Sequence, residues 1–367
     1  MENKLVFGTG TIRSGGSLVA NILSTHKKIL ITTDFIKFFR HIFKKYDPIS
    51  NKKNQFLLVE ELALRLKYRK NIEIDKKLIF ENLSHSKVKN YYDVHKVLAH
   101  YFLKKVENKD LFGEYENSEW RNIKTILESN KNYKAFQLIR DPRAIIASWK
   151  KIISFGKGYL YLNYIFNWID SINYYYIYNK KYSTNRYIAI KFEDIHNQPL
   201  KTAKRLCKFS NVKFDVNMIS THKWKKILNN PFLYINFSAH SDIKKKIYGF
   251  SKKRINNWKK SLDDWEVALI NHLTQKQLIN LGYEVETYSK SILQKGIDIL
   301  NKNKLLKKNY EIYIKSGKGI NSGLNDPSLA KNWSSLKNPK KKFIDTKEYA
   351  AFNKDLKKII KKSKNII

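Results

Sequence analysis

The 367-residue chain is 42% hydrophobic and 14% aromatic, which excludes disorder throughout and provides for a substantial core. Its formal net charge of +40 favours polyanionic partners, although lysines spread along the whole chain fit an AT-rich coding sequence filling a tolerant surface equally well. A single cysteine, Cys207, excludes an intramolecular disulfide and C-x-x-C metal motifs.

The first hydrophobic run, Leu5–Phe7, enters a glycine-rich turn, "GTGTIRSGGS" at residues 8–17. Then comes "SLVANILSTH", whose Leu18, Val19, Ile22 and Leu23 share one helical face. This predicts strand, turn and helix, with a second strand at Ile29–Thr32. From Phe35 to about Tyr101 the periodicity is helical, with no strong turn signal after Pro48. "YKAFQLIRDPRAIIASWKK" repeats the plan, with a strand at Ala135–Ile139, a helix start at Asp141–Pro142 and helix through Lys150. The aromatic "YLYLNYIFNWIDSINYYYIYNK" reads as a buried helix, "RYIAIKFEDI" as a strand, and Pro199–Phe209 as a helix. After "NLGYEVE" (280–286) the chain turns lysine-rich, with a loop-like middle, "SGKGINSGLNDPSLAKNW", and an amphipathic last helix, "KEYAAFNKDLKKIIKKSK".

Alternating strands and helices predict an α/β fold with a mostly parallel sheet. Ligands of such sheets sit at the carboxyl ends of the strands, so both strand–turn–helix units aim at one crevice. A strand within five residues of the N-terminus leaves no room for a targeting segment, and no transmembrane run is present. The chain therefore reads as soluble and cytoplasmic.

From Gly10 the first turn is the phosphate-loop pattern G-x-x-x-x-G-K-[ST] with Gly16 where lysine belongs. Successive amides and the following helix start suit an anion. Ser14 and Ser17 add hydroxyls and Arg13 a cation. A kinase or ATPase needs a cation at the γ-phosphoryl group and a magnesium site, and this loop supplies neither in its usual place. The ligand expected here has a terminal group that demands less charge neutralisation.

"RSGGSLVANILSTH" followed by "LIRDPRAIIASWKK" resembles the sulfotransferase family, whose donor is 3′-phosphoadenosine 5′-phosphosulfate (PAPS). "YIAIKFEDIHNQPLKTAKRLCKFSNVKF" and "SKKRINNWKKSL…LGYEV" resemble the family's later segments, so the resemblance spans roughly residues 4 to 286. It implies a three-layer, P-loop NTPase-like α/β fold with a helical C-terminal extension. The implied division is a sulfotransferase domain at 1–290, with a helical insertion at 35–110 on the acceptor side, and a lysine-rich, partly helical extension at 291–367. Arg13, Ser14, Gly15, Gly16, Ser17 and Leu18 would cradle the 5′-phosphosulfate. Arg140 and Ser148, in R-D-P-R-A-x-x-x-S, would hold the 3′-phosphate, with Ser251 and Lys252 closing over the nucleotide. No metal is implied. The residues themselves read Asp141 as a helix cap, Arg143 as a solvated arginine or a ligand contact, and Trp258 as core.

Sulfuryl transfer needs in-line geometry, charge compensation at the leaving oxygen and a base for the acceptor proton. Arg13 is the candidate for the charge. Asp34 matches the carboxylate that tyrosine-protein and glycan sulfotransferases carry after the first helix, and it reads equally as the N-cap of "FIKFFRHIF". Glu114 and His26 are the alternative bases. Where some members carry a lysine in a G-E-K-T-like segment, this chain has "FGEYENSEW", with Tyr115 at the lysine position. A glycan hydroxyl is the first expectation for the acceptor, with a tyrosine or small-molecule hydroxyl as alternatives. A nucleic-acid or polyanion binder and a P-loop kinase are the competing classes; no helix-turn-helix, zinc or RNP-like signature supports specific nucleic-acid recognition. The basic last helix is a candidate contact for a membrane surface or a partner protein, or packs on the domain.

Overall fold

A computed structural model of the chain describes residues 5–33, 36–106, 108–152, 157–224, 249–319 and 354–361. Its centre is a five-stranded, all-parallel sheet in the order β2-β3-β1-β4-β5. The strands are β1 (Leu5–Gly10), β2 (Ile29–Thr33), β3 (Leu111–Asn117), β4 (Tyr133–Ile139) and β5 (Tyr187–Lys191). β1 is buried along its whole length between β3 and β4, as expected of a central parallel strand covered on both faces.

The register brings the strand ends level. Gly10 lies opposite Asn117 on one side and Leu138 on the other, and Ile139 lies opposite Lys191. From β1 the chain passes through α1 (Gly16–Thr25) to β2, on one side of the sheet. From β4 it passes through α7 (Pro142–Lys150) towards β5, on the other side. The crevice between the ends of β1 and β4 is therefore the topological switch point, where α/β sheets place ligands.

Between β2 and β3 lie α2 (Phe38–His41), α3 (Lys52–Lys70), α4 (Lys76–His85) and α5 (Tyr91–Leu103). The sequence showed no strong break there, yet each of the last three helices is capped. Asn51 accepts from the amides of Lys53 and Asn54, Asp75 from that of Leu78, and Asn90 from that of Asp93. Short polar caps inside a lysine- and asparagine-rich sequence carry little contrast with their surroundings, although physically they are the helix starts. α6 (Ile123–Ser129) then leads to β4.

The apolar residues form two clusters. The first surrounds β1 to β5 and the helices from α1 to α5. The second gathers α7, the aromatic α8 (Tyr164–Lys181) and α12 (Asp264–Asn280), with α13 (Lys290–Lys302) and α14 (Lys304–Ser316) packed on it. Leu300 and Leu306 are buried there, and Tyr313 stacks on Phe166 with ring centroids 5.2 Å apart. Between these helices come α9 (Phe192–Asn197), α10 (Pro199–Ser210) and α11 (Lys253–Asn256).

The loop-like stretch expected after residue 319 lies outside the described residues, as does most of the last predicted helix. Its described turns, 354–361, bury Leu356, and Asp355 accepts a hydrogen bond from Tyr68 of α3 at 2.8 Å. Among the described residues, no helix is long and apolar enough to cross a membrane.

Candidate active site

The turn after β1 holds two residues in the left-handed region, Arg13 (φ 77°) and Gly15 (φ 103°). The amide of Ser14 closes the turn on the carbonyl of Thr11 at 3.0 Å. Helix α1 then begins behind Gly15, with no side chain capping it and no acidic residue in its first turn. Helix starts leave several amides without intrahelical partners, and here the partial positive charge stays open at the crevice.

Gly16 has a steric reason to be glycine. A Cβ there would lie 1.9 Å from Cε1 of Tyr115. The Tyr115 ring, from the adjacent strand β3, packs under the loop, and its hydroxyl lies 3.3 Å from Ser14 Oγ. Tyr115 thus takes the space that a phosphate-loop lysine at 16 would need. The two departures from phosphate-loop and family pattern, glycine at 16 and tyrosine at 115, are one packing arrangement.

The second turn meets the first directly. Arg140, one residue past β4, donates from Nη1 to the carbonyl oxygen of Arg13 at 2.7 Å. Arg13 Nε in turn donates to Ser148 Oγ on α7 at 2.8 Å. The guanidinium of Arg140 lies over the face of Phe192, with Cζ 3.9 Å from the ring centroid, and its own carbonyl accepts from Trp168 Nε1 at 2.8 Å. Burial lowers the Arg140 pKa to about 10 and lowers that of Arg13. Among the described residues no carboxylate forms an ion pair with either arginine. Arg140 Nε is buried without a hydrogen-bond partner. Two converging guanidiniums, an orphaned donor and an open helix start together fit a phosphorylated ligand.

Asp141 does cap α7: its carboxylate accepts from the amide of Arg143 at 2.8 Å. It also pairs with the Arg143 side chain at 2.8 Å, and that guanidinium stacks over the buried Trp258 at 4.2 Å. Arg143 is therefore a buried, ion-paired residue, and the solvated reading of it is corrected. Its cation is paired with Asp141, which leaves Arg140 as the turn's cation without a carboxylate partner among the described residues. Glu193 braces the turn by accepting from the Asp141 amide at 3.0 Å and from the Tyr283 hydroxyl at 2.9 Å; burial raises its pKa.

Among the other residues singled out in the sequence, Ser14 is buried and Ser17 half-buried at the loop, while Leu18 sends its side chain into the core and its amide to the carbonyl of Gly15. Lys252 is exposed and Ser251 half-buried. Arg254, in the same basic run, is half-buried, and its carbonyl lies 3.5 Å from Arg140 Nη2. Sequence reasoning placed Arg254 in the basic run Lys252–Lys253–Arg254 without giving it a contact of its own, and did not single out Phe192. The only signal was position: an aromatic at the end of a strand, and the third residue of a basic run.

The candidate bases are widely separated. Asp34 lies outside the described residues, directly after Thr33 at the end of β2. His26 sits at the opposite end of α1 from the loop, with Nε2 bonded to the carbonyl of Lys213 and Nδ1 accepting from the amide of Lys28. Both ring nitrogens are in use there, so it does not serve the crevice. Glu114 is 1% exposed on the sheet face opposite Tyr115, with His95 Nε2 3.6 Å away. Burial and the neighbouring Glu116 hold its pKa well above the usual carboxylate range, and it is sealed in the core away from the crevice. Among the described residues, no group of His, Cys, Asp and Glu is arranged to hold a metal ion.

Comparison with protein-family models matches residues 6–216 to the Sulfotransferase family. Two solved structures share the fold at low sequence identity. The sulfotransferase domain from the Synechococcus PCC 7002 olefin synthase is 15% identical, with a TM-score of 0.51, over 78% of this chain and 98% of that one. The sulfotransferase domain from the curacin biosynthetic pathway is 16% identical, with a TM-score of 0.50, over 77% and 99%. No curated protein matches.

Proposed function

The chain belongs to the sulfotransferase family, and on that premise we propose that it moves the sulfuryl group of PAPS, the co-substrate the family implies, to a hydroxyl of an acidic glycan. The observation that carries this reading is the contact between the two turns. Arg140 reaches the carbonyl of Arg13 and Arg13 reaches Ser148, so one nucleotide with two anionic ends meets both motifs at once.

In this reading the amides of Gly15 to Ser17 and the hydroxyls of Ser14 and Ser17 orient the 5′ end, with Leu18 anchoring the helix start behind them. Arg140, Ser148 and the 251–254 turn, with Ser251 and Lys252, hold the 3′-phosphate. Ser148 accepts from Arg13 through a lone pair, which leaves its own proton free to donate to phosphate. PAPS supplies a sulfuryl group whose bond to the phosphate oxygen breaks as the acceptor oxygen attacks in line. Arg13 compensates the charge that develops on the leaving phosphate oxygen. Asp34 takes the proton from the acceptor hydroxyl, which it can do only with one carboxylate oxygen free of any capping role. The helices between β2 and β3 form the acceptor wall, within a catalytic unit of residues 1–290. The net charge of +40 favours an anionic acceptor.

The test is transfer of labelled sulfate from PAPS to a panel of acidic glycans, neutral glycans and tyrosine peptides. Asp34→Asn is expected to bind desulfated donor (PAP) normally and to lose about a hundredfold in turnover. Near-normal turnover removes Asp34 from the role. Transfer to tyrosine peptides alone overturns the glycan assignment.

A further inference from the structure

His196, near the end of α9, is 4% exposed and packed between the rings of Phe192 and Phe250. Its Nδ1 accepts the backbone amide of Ser251 at 3.0 Å. A ring whose Nδ1 accepts carries its proton on Nε2 when neutral. Burial, with Arg254 and Arg140 nearby, holds its pKa down to about 4, so the ring is neutral near pH 7. Nε2–H is then a fixed donor, buried and without a partner. Arg140 Nε is a second buried donor without a partner, against the same Phe192 ring. Two orphaned donors sharing one aromatic ring are costly to leave unmet in a folded protein.

Resting on the nucleotide reading above, we propose that His196 is a binding residue for the donor, giving its Nε2–H to the same phosphate that Arg140 holds. The Ser251 amide sets the tautomer. The 249–254 turn therefore contributes to binding through its backbone, by presenting the imidazole in its donating form, and Ser251 acts through that amide. A neutral donor between two arginines adds directionality without adding a third charge to be desolvated. It also sharpens selection for the 3′-phosphate, because a nucleotide lacking that group leaves both donors unpaired.

Calorimetric titration with PAP and with 5′-AMP, on wild type, His196→Phe, His196→Gln and Arg140→Ala, tests this. His196→Phe is expected to weaken PAP by about tenfold while leaving 5′-AMP unchanged, and His196→Gln, which keeps an amide donor of similar reach, to recover most of the loss. Equal PAP affinity in wild type and His196→Phe, with Arg140→Ala still weakened, overturns the role of His196 alone. A His196→Phe loss that is the same for both nucleotides, or a His196→Gln that fails to recover, makes the residue structural and overturns it too. Absence of saturable PAP binding by wild type removes the nucleotide reading itself.

Discussion

The turns after β1 and β4 both deliver a helix start to the same crevice, yet they are finished differently. α1 starts behind Gly15, with no side chain on its first amides and two left-handed residues in its turn. α7 starts behind Asp141, whose carboxylate accepts from the Arg143 amide and neutralises the Arg143 side chain, with Pro142 in the first turn. The first turn spends backbone strain to leave its dipole exposed; the second closes its dipole and offers a side chain, Arg140, in its place. The difference teaches that R-D-P-R is two devices in four residues. Asp141, Pro142 and Arg143 are structural, and Arg140 alone reaches the first turn and the Phe192 ring.

That contrast is open to attack on the structural side first. Asp141→Ala removes the cap and leaves the buried Arg143 without its counter-ion. The expected cost is about 3 kcal/mol or more, seen as a fall of roughly 4 °C in Tm for a chain of this length. PAP affinity of the folded protein should change little by comparison. A variant with normal Tm and lost PAP affinity would make Asp141 a ligand and break the distinction.

Gly16→Ala should cost about 2 kcal/mol in thermal unfolding, because its Cβ meets the Tyr115 ring. Adding Tyr115→Ala should recover part of that loss, so the two effects are non-additive. Full additivity would show that the glycine is there for another reason.

Ser148→Ala, the mildest change, should weaken PAP about three- to tenfold with stability unchanged. An unchanged affinity would confine the hydroxyl to holding Arg13.

Both turns and the strands β1, β2, β4 and β5 were legible because their signals are local: a hydrophobic run, glycines or a helix start after it, then an amphipathic helix, whereas β3, with Glu114 and Glu116 inside it, was not read as a strand. Alternating strands and helices gave a mostly parallel sheet, but the order β2-β3-β1-β4-β5 came only with the structure. What escaped was contributed by residues distant in sequence. Phe192 reaches Arg140 from 52 positions away and Arg254 from 114, and no short pattern joins them. Tyr115 was visible as a departure from the family but not as the cause of Gly16, since the clash exists only once β3 lies beside β1. Arg143 read as solvated or as a ligand contact because lysine and arginine on helices are usually exposed. Its burial depends on Trp258, from a segment more than a hundred residues later.

The central claim is that Arg13, Arg140 and Ser148 form one anion site spanning two turns. Isothermal titration of PAP into wild type and Arg140→Ala tests it most directly. The account predicts saturable binding by wild type and at least about thirtyfold weaker binding by the variant, at unchanged fold. Equal affinities, or no saturable binding by wild type, would contradict it.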